Sequence, residues 1–236
     1  MDDLNYDQIE EMENSNWWYQ GKRDLLDRLL TGKNFSKALD IGCGVGSNLS
    51  VMQKHVETVI GVDNSPKAVD YCARKGFNAV IGDIHKLSFE AEHFDLVMCS
   101  DVLEHVDDVK AVSEVNRVLK KGGAFIFSVP ANNHLWNDND DFSHHLRRYD
   151  KKMLSTLLKD FDIKQLKYWN AFSYVPCAVV YPIQRLRKNR DKVNNLTLIP
   201  SKLNGLLYKM ISLENKLFSK LSMPQGVSLI GVAVKR

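Results

Sequence analysis

The spacing of apolar positions changes along the chain, and each change marks an element. Leu25, Leu26, Leu29 and Leu30 recur at helical spacing, so an amphipathic helix precedes the first strand. Residues 38–41 form a short apolar run. Three glycines at alternate positions follow it, Gly42, Gly44 and Gly46, and then a segment over 47–55 that can start a helix. Residues 58–63 read as a second strand. Asn64 or Ser65 can cap the helix after it, Pro66 suits its first position, and Gly76 ends it. Residues 79–81 give a third strand. Residues 94–100 are almost continuously apolar, as expected of a strand buried on both faces. A helix over 109–120, closed by Gly122 and Gly123, leads to a fifth strand over 124–129 that Pro130 ends. Asp150 can cap a helix through Lys159 whose apolar face is Met153, Leu154, Leu157 and Leu158. Strands follow over 163–169 and 227–234. Alternation of strand and helix predicts an α/β fold with a parallel sheet covered on both sides.

Two stretches fall outside this alternation. Residues 1–16 are acidic and polar and read as a loose or helical extension. Residues 170–226 lie between the last two strands and carry helical patterns over 174–187 and 203–221. A long insertion in a compact domain is usually functional, and this one is expected to cap a substrate site. The division expected is therefore an N-terminal helical extension or lid over 1–36, a core over 37–169, a helical insertion over 170–226, and a final core strand over 227–236.

Charge sharpens the picture of the second half. The net charge is only +3, but residues 1–143 hold 14 Lys and Arg against 24 Asp and Glu, whereas residues 144–236 hold 18 against 5. The resulting balances, −10 and +13, point the C-terminal part toward an anionic partner or a solvated basic surface. The four cysteines, Cys43, Cys72, Cys99 and Cys177, form no C-x-x-C pair, which fits reduced thiols and a cytoplasmic protein. The polar, acidic start does not read as a signal peptide. The apolar run over 172–183 contains Pro176 and Pro182 and is too short to span a bilayer. Followed by Arg185, Arg187, Lys188 and Arg190, it is a candidate for peripheral contact at the inner membrane face, or a helix packed on the domain.

The chemistry centres on residues 37–48. A strand, a glycine turn and a helix start make a nucleotide-type cradle, with free N–H groups at the helix end. A dinucleotide fingerprint would need a third glycine at position 47, which is Ser47. The acid at Asp40 disfavours a pyrophosphate and suits a cationic ligand. The run Leu39-Asp40-Ile41-Gly42-Cys43-Gly44-Val45-Gly46 resembles the first motif of the class I methyltransferases that use S-adenosylmethionine (SAM). That resemblance implies a doubly wound, mostly parallel seven-stranded sheet, SAM as cofactor and S-adenosylhomocysteine as product. Asp63, 21 positions after Gly42, would hold the ribose hydroxyls, with Asn64 beside it. By the same resemblance Asp83 and Ile84 would flank adenine. Ser100, Asp101 and His105 would lie near the methionine end, while Trp18 and Arg23 would close over it, Arg23 pairing with the carboxylate.

Asp101, Glu104 and His105, at i, i+3 and i+4, also form a set able to take a divalent metal, as similar triplets do in some quinone O-methyltransferases. The reading adopted has no metal, with His105 lining the cofactor pocket. On the acceptor side, His145 is the candidate general base, and His144, Arg147, Arg148 and Tyr149 are candidate substrate contacts. Either arginine could instead bridge to the acids at 138–141. The phrase resembles a segment of methyltransferases linked to cell-surface glycan or lipid pathways. The expected activity is methyl transfer to O or N of a small-molecule, glycan-linked or lipid-linked acceptor. RNA methylation and non-catalytic SAM binding are the alternatives.

Overall fold

The computed structural model describes residues 6–185 and 200–236. Arg187, Lys188 and Arg190, and the end of the helix expected over 174–187, lie outside the described residues. In chain order the elements are α1 (Tyr6–Ser15), α2 (Trp17–Leu30), β1 (Phe35–Ile41), α3 (Ser47–Met52), β2 (Val56–Asp63), α4 (Pro66–Arg74), β3 (Ala79–Ile81) and β4 (Phe94–Ser100). They continue with α5 (Asp108–Val118), β5 (Leu119–Pro130), α6 (Asp138–Phe142), α7 (Lys151–Leu157), β6 (Phe161–Trp169), α8 (Tyr174–Arg185), α9 (Ser201–Leu217) and β7 (Ser228–Lys235).

The helix starts follow local chemistry. Asn16 accepts from the Trp18 N–H, Ser65 from Ala68 with Pro66 in the first turn, and Asp150 from Met153. Each side chain satisfies an N–H that the helix itself leaves unpaired.

The seven strands form one sheet in the order β3-β2-β1-β4-β5-β7-β6. The first five pair in parallel, and β7 runs antiparallel between β5 and β6. The chain leaves β1 toward β2 on one side and returns to β4 on the other. A crevice therefore opens at the C-terminal ends of β1 and β4, where open α/β sheets bind ligands. Along β4, Leu96 and Met98 enter the core on one face of the sheet, and Val97 and Cys99 that on the other. This is why the strand reads as a continuous apolar run.

One expectation is corrected. Gly122 and Gly123 do not close a helix. The helix stops at Val118, and both glycines lie within β5, where the register slips so that Leu119 faces Phe94 while Ala124 faces Leu96. A bulge with Gly122 at φ +75° absorbs the extra residues. Within the insertion, the first helix, α8, lies beside the turn at 133–135, where the His134 imidazole is 3.1 Å from the Tyr174 hydroxyl. The second helix, α9, packs on α2. Gly21 allows the approach, because a Cβ there would sit 2.7 Å from Ile211 Cγ2. Asn215 fixes it from within: its Oδ1 accepts from the Trp169 indole at 2.8 Å, and its Nδ2 donates to the Gly21 carbonyl at 2.8 Å. A buried amide with these partners holds one helix position and disfavours sliding.

Candidate active site

A cavity of about 400 Å³ opens at the C-terminal ends of β1, β2, β3 and β4. Its floor is the glycine turn. Gly42, Gly44 and Gly46 all have positive φ, at +73°, +51° and +82°. At Gly42 a Cβ would meet Val102 Cγ2 at 2.4 Å, so the residue must be bare to let the next strand end approach. Gly44 is bare for another reason. A Cβ there would meet nothing within 4 Å, and the residue faces the cavity. That open space over an exposed backbone is what a ligand pressed onto the turn requires.

Asp63 ends β2 and ties the turn together. One carboxylate oxygen accepts from the Gly44 N–H at 2.9 Å and the other from Ser65 N–H at 2.9 Å. Asn64 lines the wall beside it. Asp83 and Ile84 line the same cavity at the end of β3. Asp83 Oδ1 accepts from the His85 backbone N–H at 2.9 Å, and this bond, with the neighbouring imidazole, holds its carboxyl below the ordinary range. Asp101 lines the cavity at the end of β4 with φ +54°, a strained value for a residue with a side chain. His105 lines it from the following turn.

Other expected residues stand off the wall. Asp40 is fully buried, and burial pushes its carboxyl well above the ordinary range. Asn48 is the neighbouring amide, and neither Asp40 oxygen has a partner of good hydrogen-bond geometry. Cys43 turns its thiol inward toward Gly61, where a Cβ would come within 2.8 Å of the sulfur. Ser100 sits behind Asp101, with its hydroxyl 2.8 Å from that of Ser128.

The closing segment also differs from expectation. Trp18 packs on Trp169 and Tyr19 and lies under the Lys22 ammonium, 4.0 Å from the ring centroid, and does not line the cavity itself. Arg23 donates to the Glu13 carbonyl at 2.9 Å. The residues that cover the cavity are Tyr6, Ile9 and Glu13 of α1. Tyr6 is pinned to Ser65 through a 2.7 Å hydroxyl contact, and Glu10 takes a hydrogen bond from Tyr71 at 2.7 Å. The cation beside Asp101 is Lys22. It pairs with Asp101 and donates to Ser128 Oγ at 3.1 Å. A lysine directly before Arg23 was the available signal; only the side-chain directions on α2 distinguish the two.

On the far side of His105 lies a buried polar group. His145 Nδ1 is 2.7 Å from Asp140 Oδ1. Arg148 donates to both oxygens of Asp140 at 2.9 Å and to the Ala131 carbonyl at 3.1 Å. Burial raises the Asp140 carboxyl, but the bonds and charge of His145 and Arg148 outweigh it and hold it below the ordinary range. His145 and His105 meet edge to face with centroids 4.7 Å apart. Glu104 completes the group: it is fully buried, both its oxygens lack a hydrogen-bond partner, and burial pushes it upward.

Three expected substrate contacts are engaged inside the protein. Arg148 is buried on Asp140, the alternative its spacing had left open. Arg147 pairs with Asp108 at 2.8 Å and donates to the Val106 carbonyl at 3.1 Å. The Tyr149 hydroxyl lies 2.8 Å from Asp108 Oδ2 and 3.0 Å from the Leu103 carbonyl. His144 is exposed with φ +54°. Among the described residues, the group that could take a cation is Glu104, His105 and His145, with ligand atoms within 4.8 Å of one another. Asp101 is not in it, because its strained backbone sends its side chain to Lys22.

Burial of His105, with the neighbouring His145, pushes its pKa from about 6.5 down to about 4. Between these values the unfolded chain binds a proton that the folded chain does not. Stability must therefore rise with pH across that window and fall as pH drops through it. The full shift corresponds to at most about 3 kcal/mol. Replacing His105 by Gln is expected to flatten the difference in unfolding free energy between pH 6.5 and 4. Urea titrations of both proteins across that range check this, and parallel pH slopes would refute it.

A family model described as a methyltransferase domain matches residues 39–127. Two curated relatives match over part of their length. One is a malonyl-[acyl-carrier protein] O-methyltransferase of Herminiimonas arsenicoxydans, 34% identical over 105 residues that make up 44% of this chain and 40% of that protein. The other is a ubiquinone biosynthesis O-methyltransferase of Coxiella burnetii, 33% identical over 106 residues, 42% of this chain and 44% of the relative. The chain thus spans less than half the length of these relatives. Among solved structures, a SAM-dependent methyltransferase from Archaeoglobus fulgidus shares the fold, with TM-score 0.63, 21% identity, and coverage of 98% of this chain and 100% of that one.

Proposed function

We propose that this chain, whose residues 39–127 match a methyltransferase domain, is a class I SAM-dependent methyltransferase that binds SAM in the cavity over the glycine turn and transfers its methyl group to a hydroxyl of a small-molecule, glycan-linked or lipid-linked acceptor. The observation that carries this reading is the cavity at the strand ends, with bare Gly44 on its floor and Asp63 and Asp83 on its wall. Asp63 is oriented by two backbone N–H groups, and in this reading it accepts from a ribose diol. Asp83 and Ile84 provide an acceptor and an apolar face for adenine. SAM, when bound, supplies an electrophilic methyl on its sulfonium.

The residues of the chain supply orientation and a proton acceptor. Lys22 and Asp101 form a charged pair near the end of β4 for the amino-acid end of the ligand. His145 takes the acceptor hydroxyl proton through Nε2, since Nδ1 is engaged by Asp140. Held by the glycine turn, Asp63 and Asp83, SAM would supply the methyl group for the new oxygen–carbon bond and would leave as a neutral thioether once its carbon–sulfur bond broke. Two observations support a hydroxyl acceptor: the oriented imidazole, and the O-methyltransferase relatives. An apolar, lipid-linked acceptor is supported by α8, which exposes Val175, Val179, Val180 and Ile183 on one face.

Titration calorimetry with SAM and S-adenosylhomocysteine tests the cofactor reading, and an absence of heat at millimolar ligand would overturn it. Asp63→Ala is expected to weaken SAM by about 1.5–3 kcal/mol, the scale of hydrogen bonds to a charged group. Unchanged affinity would remove Asp63 from the site.

A further inference from the structure

α9 buries one side and leaves the other uncovered. Ile211, Glu214, Asn215 and Phe218 face the domain. On the outside, Leu203, Leu206, Met210, Leu213 and Leu217 are all exposed, with Leu206 at 55% and Leu213 at 59%. Their spacing is three, four, three, four. At about 100° per residue they occupy an arc of about 80° on the helix surface. Lys202, Lys209 and Lys216 are exposed and fall together on the adjoining arc of about 40°. Beyond them come only Ser201, Gly205, Ser212 and Ser219. The one acid in α9, Glu214, faces inward, where its carboxylate accepts from the Ala171 N–H at about 3.0 Å. Among the described residues, no carboxylate pairs with the three lysines.

A stripe of leucines alone would suit a second helix as well as a membrane. The lysines decide between them. In an antiparallel pair of α9 helices like flanks meet, so lysine would face lysine. In a parallel pair the lysine flank would need the opposite flank, which is buried against α2. A row of lysines beside an apolar arc is complementary to a negatively charged surface with an apolar interior. The stripe extends over much of a helix about 25 Å long. It lies within residues 144–236, which together carry a net +13.

We propose that the outer face of α9 docks in the plane of an anionic phospholipid bilayer. Leu206, Met210, Leu213 and Leu217 enter the interfacial region, and Lys202, Lys209 and Lys216 meet the head-group phosphates while their methylene stems lie along the apolar arc. No described helix is long and apolar enough to cross a membrane, and the contact is peripheral. It requires neither SAM nor an acceptor, and it stands apart from the methyl-transfer reading.

The test is co-flotation of the full chain with vesicles of phosphatidylcholine containing phosphatidylglycerol, and with vesicles of phosphatidylcholine alone. The chain is expected to float with the anionic vesicles and remain behind with the neutral ones, and raised salt is expected to release it. Replacing Lys202, Lys209 and Lys216 together by Gln should lower partitioning on the order of 100-fold. Leu206→Asp with Leu213→Asp should abolish it. All five side chains are exposed, so the thermal melts should match the parent. The lysine variant provides a separate reading if the leucine variant melts early. Equal partitioning to both vesicle types, no flotation with either, or full binding by the lysine variant would overturn the proposal. So would a dimer in sedimentation velocity that Leu213→Asp dissociates, because a second copy would then cover this face.

Discussion

Replacing His145 by Gln is expected to lower turnover on the order of 100- to 10,000-fold while SAM affinity stays within about twofold. The expectation rests on the division of labour in the polar group. In the proposed reading SAM is held by the glycine turn, Asp63 and Asp83, none of which touches His145. The imidazole is oriented through Nδ1 by Asp140, and Arg148 fixes Asp140 in turn, so Nε2 is the nitrogen available for a proton. Gln is close in size and can keep a hydrogen bond to Asp140, so the fold should survive. The measurement is a single-turnover rate with a competent hydroxyl acceptor, alongside titration calorimetry with SAM. Full activity in the variant would show that the acceptor needs no base or finds another.

The parts of this site that were legible in the sequence are those specified by the backbone. Gly42, Gly44 and Gly46 stand where positive φ is required, and no other residue type would repeat there at alternate positions. Asp63 and Asp83 follow from where strands end. The sheet was legible because β4 and β5 are buried on both faces and cannot be mistaken for amphipathic helices. The less legible parts depend on which way a side chain turns. Lys22 and Arg23 are adjacent, and a rotation of about 100° along α2 sends one to Asp101 and the other to the Glu13 carbonyl. Tyr6, Ile9 and Glu13 lie in an acidic stretch with no apolar period, so their place over the cavity depends on contacts with α4 about 60 residues away. The misreading of Gly122 and Gly123 had a similar source: two glycines after a helix stop it in most contexts, and the pairing of Leu119 with Phe94 overrode that preference here.

Arg148 is expected to matter most for stability, which a reading of Arg147-Arg148 as a surface clamp would not foresee. Its guanidinium is buried, makes two 2.9 Å bonds to Asp140 and a third to the Ala131 carbonyl, and faces a carboxylate that is itself out of water. Arg148→Met should therefore cost about 3–5 kcal/mol, because it leaves a buried carboxylate with no cationic partner fixed on it, only the His145 imidazole and the Asn137 N–H. The size of the chain puts that near 10 °C or more in melting temperature, at roughly 2–4 °C per kcal/mol. Changing both partners, with Asp140→Asn added, should recover much of the loss, since the penalty comes from the orphaned charge and not from the absence of the pair. The double variant should still turn over slowly, because the Asp140 carboxylate that orients His145 is gone. Urea unfolding of the two single variants and the double variant measures the coupling. Additive losses would mean that Arg148 and Asp140 act independently, and that the bidentate pair is not what holds the Asn137–Tyr149 segment against the sheet.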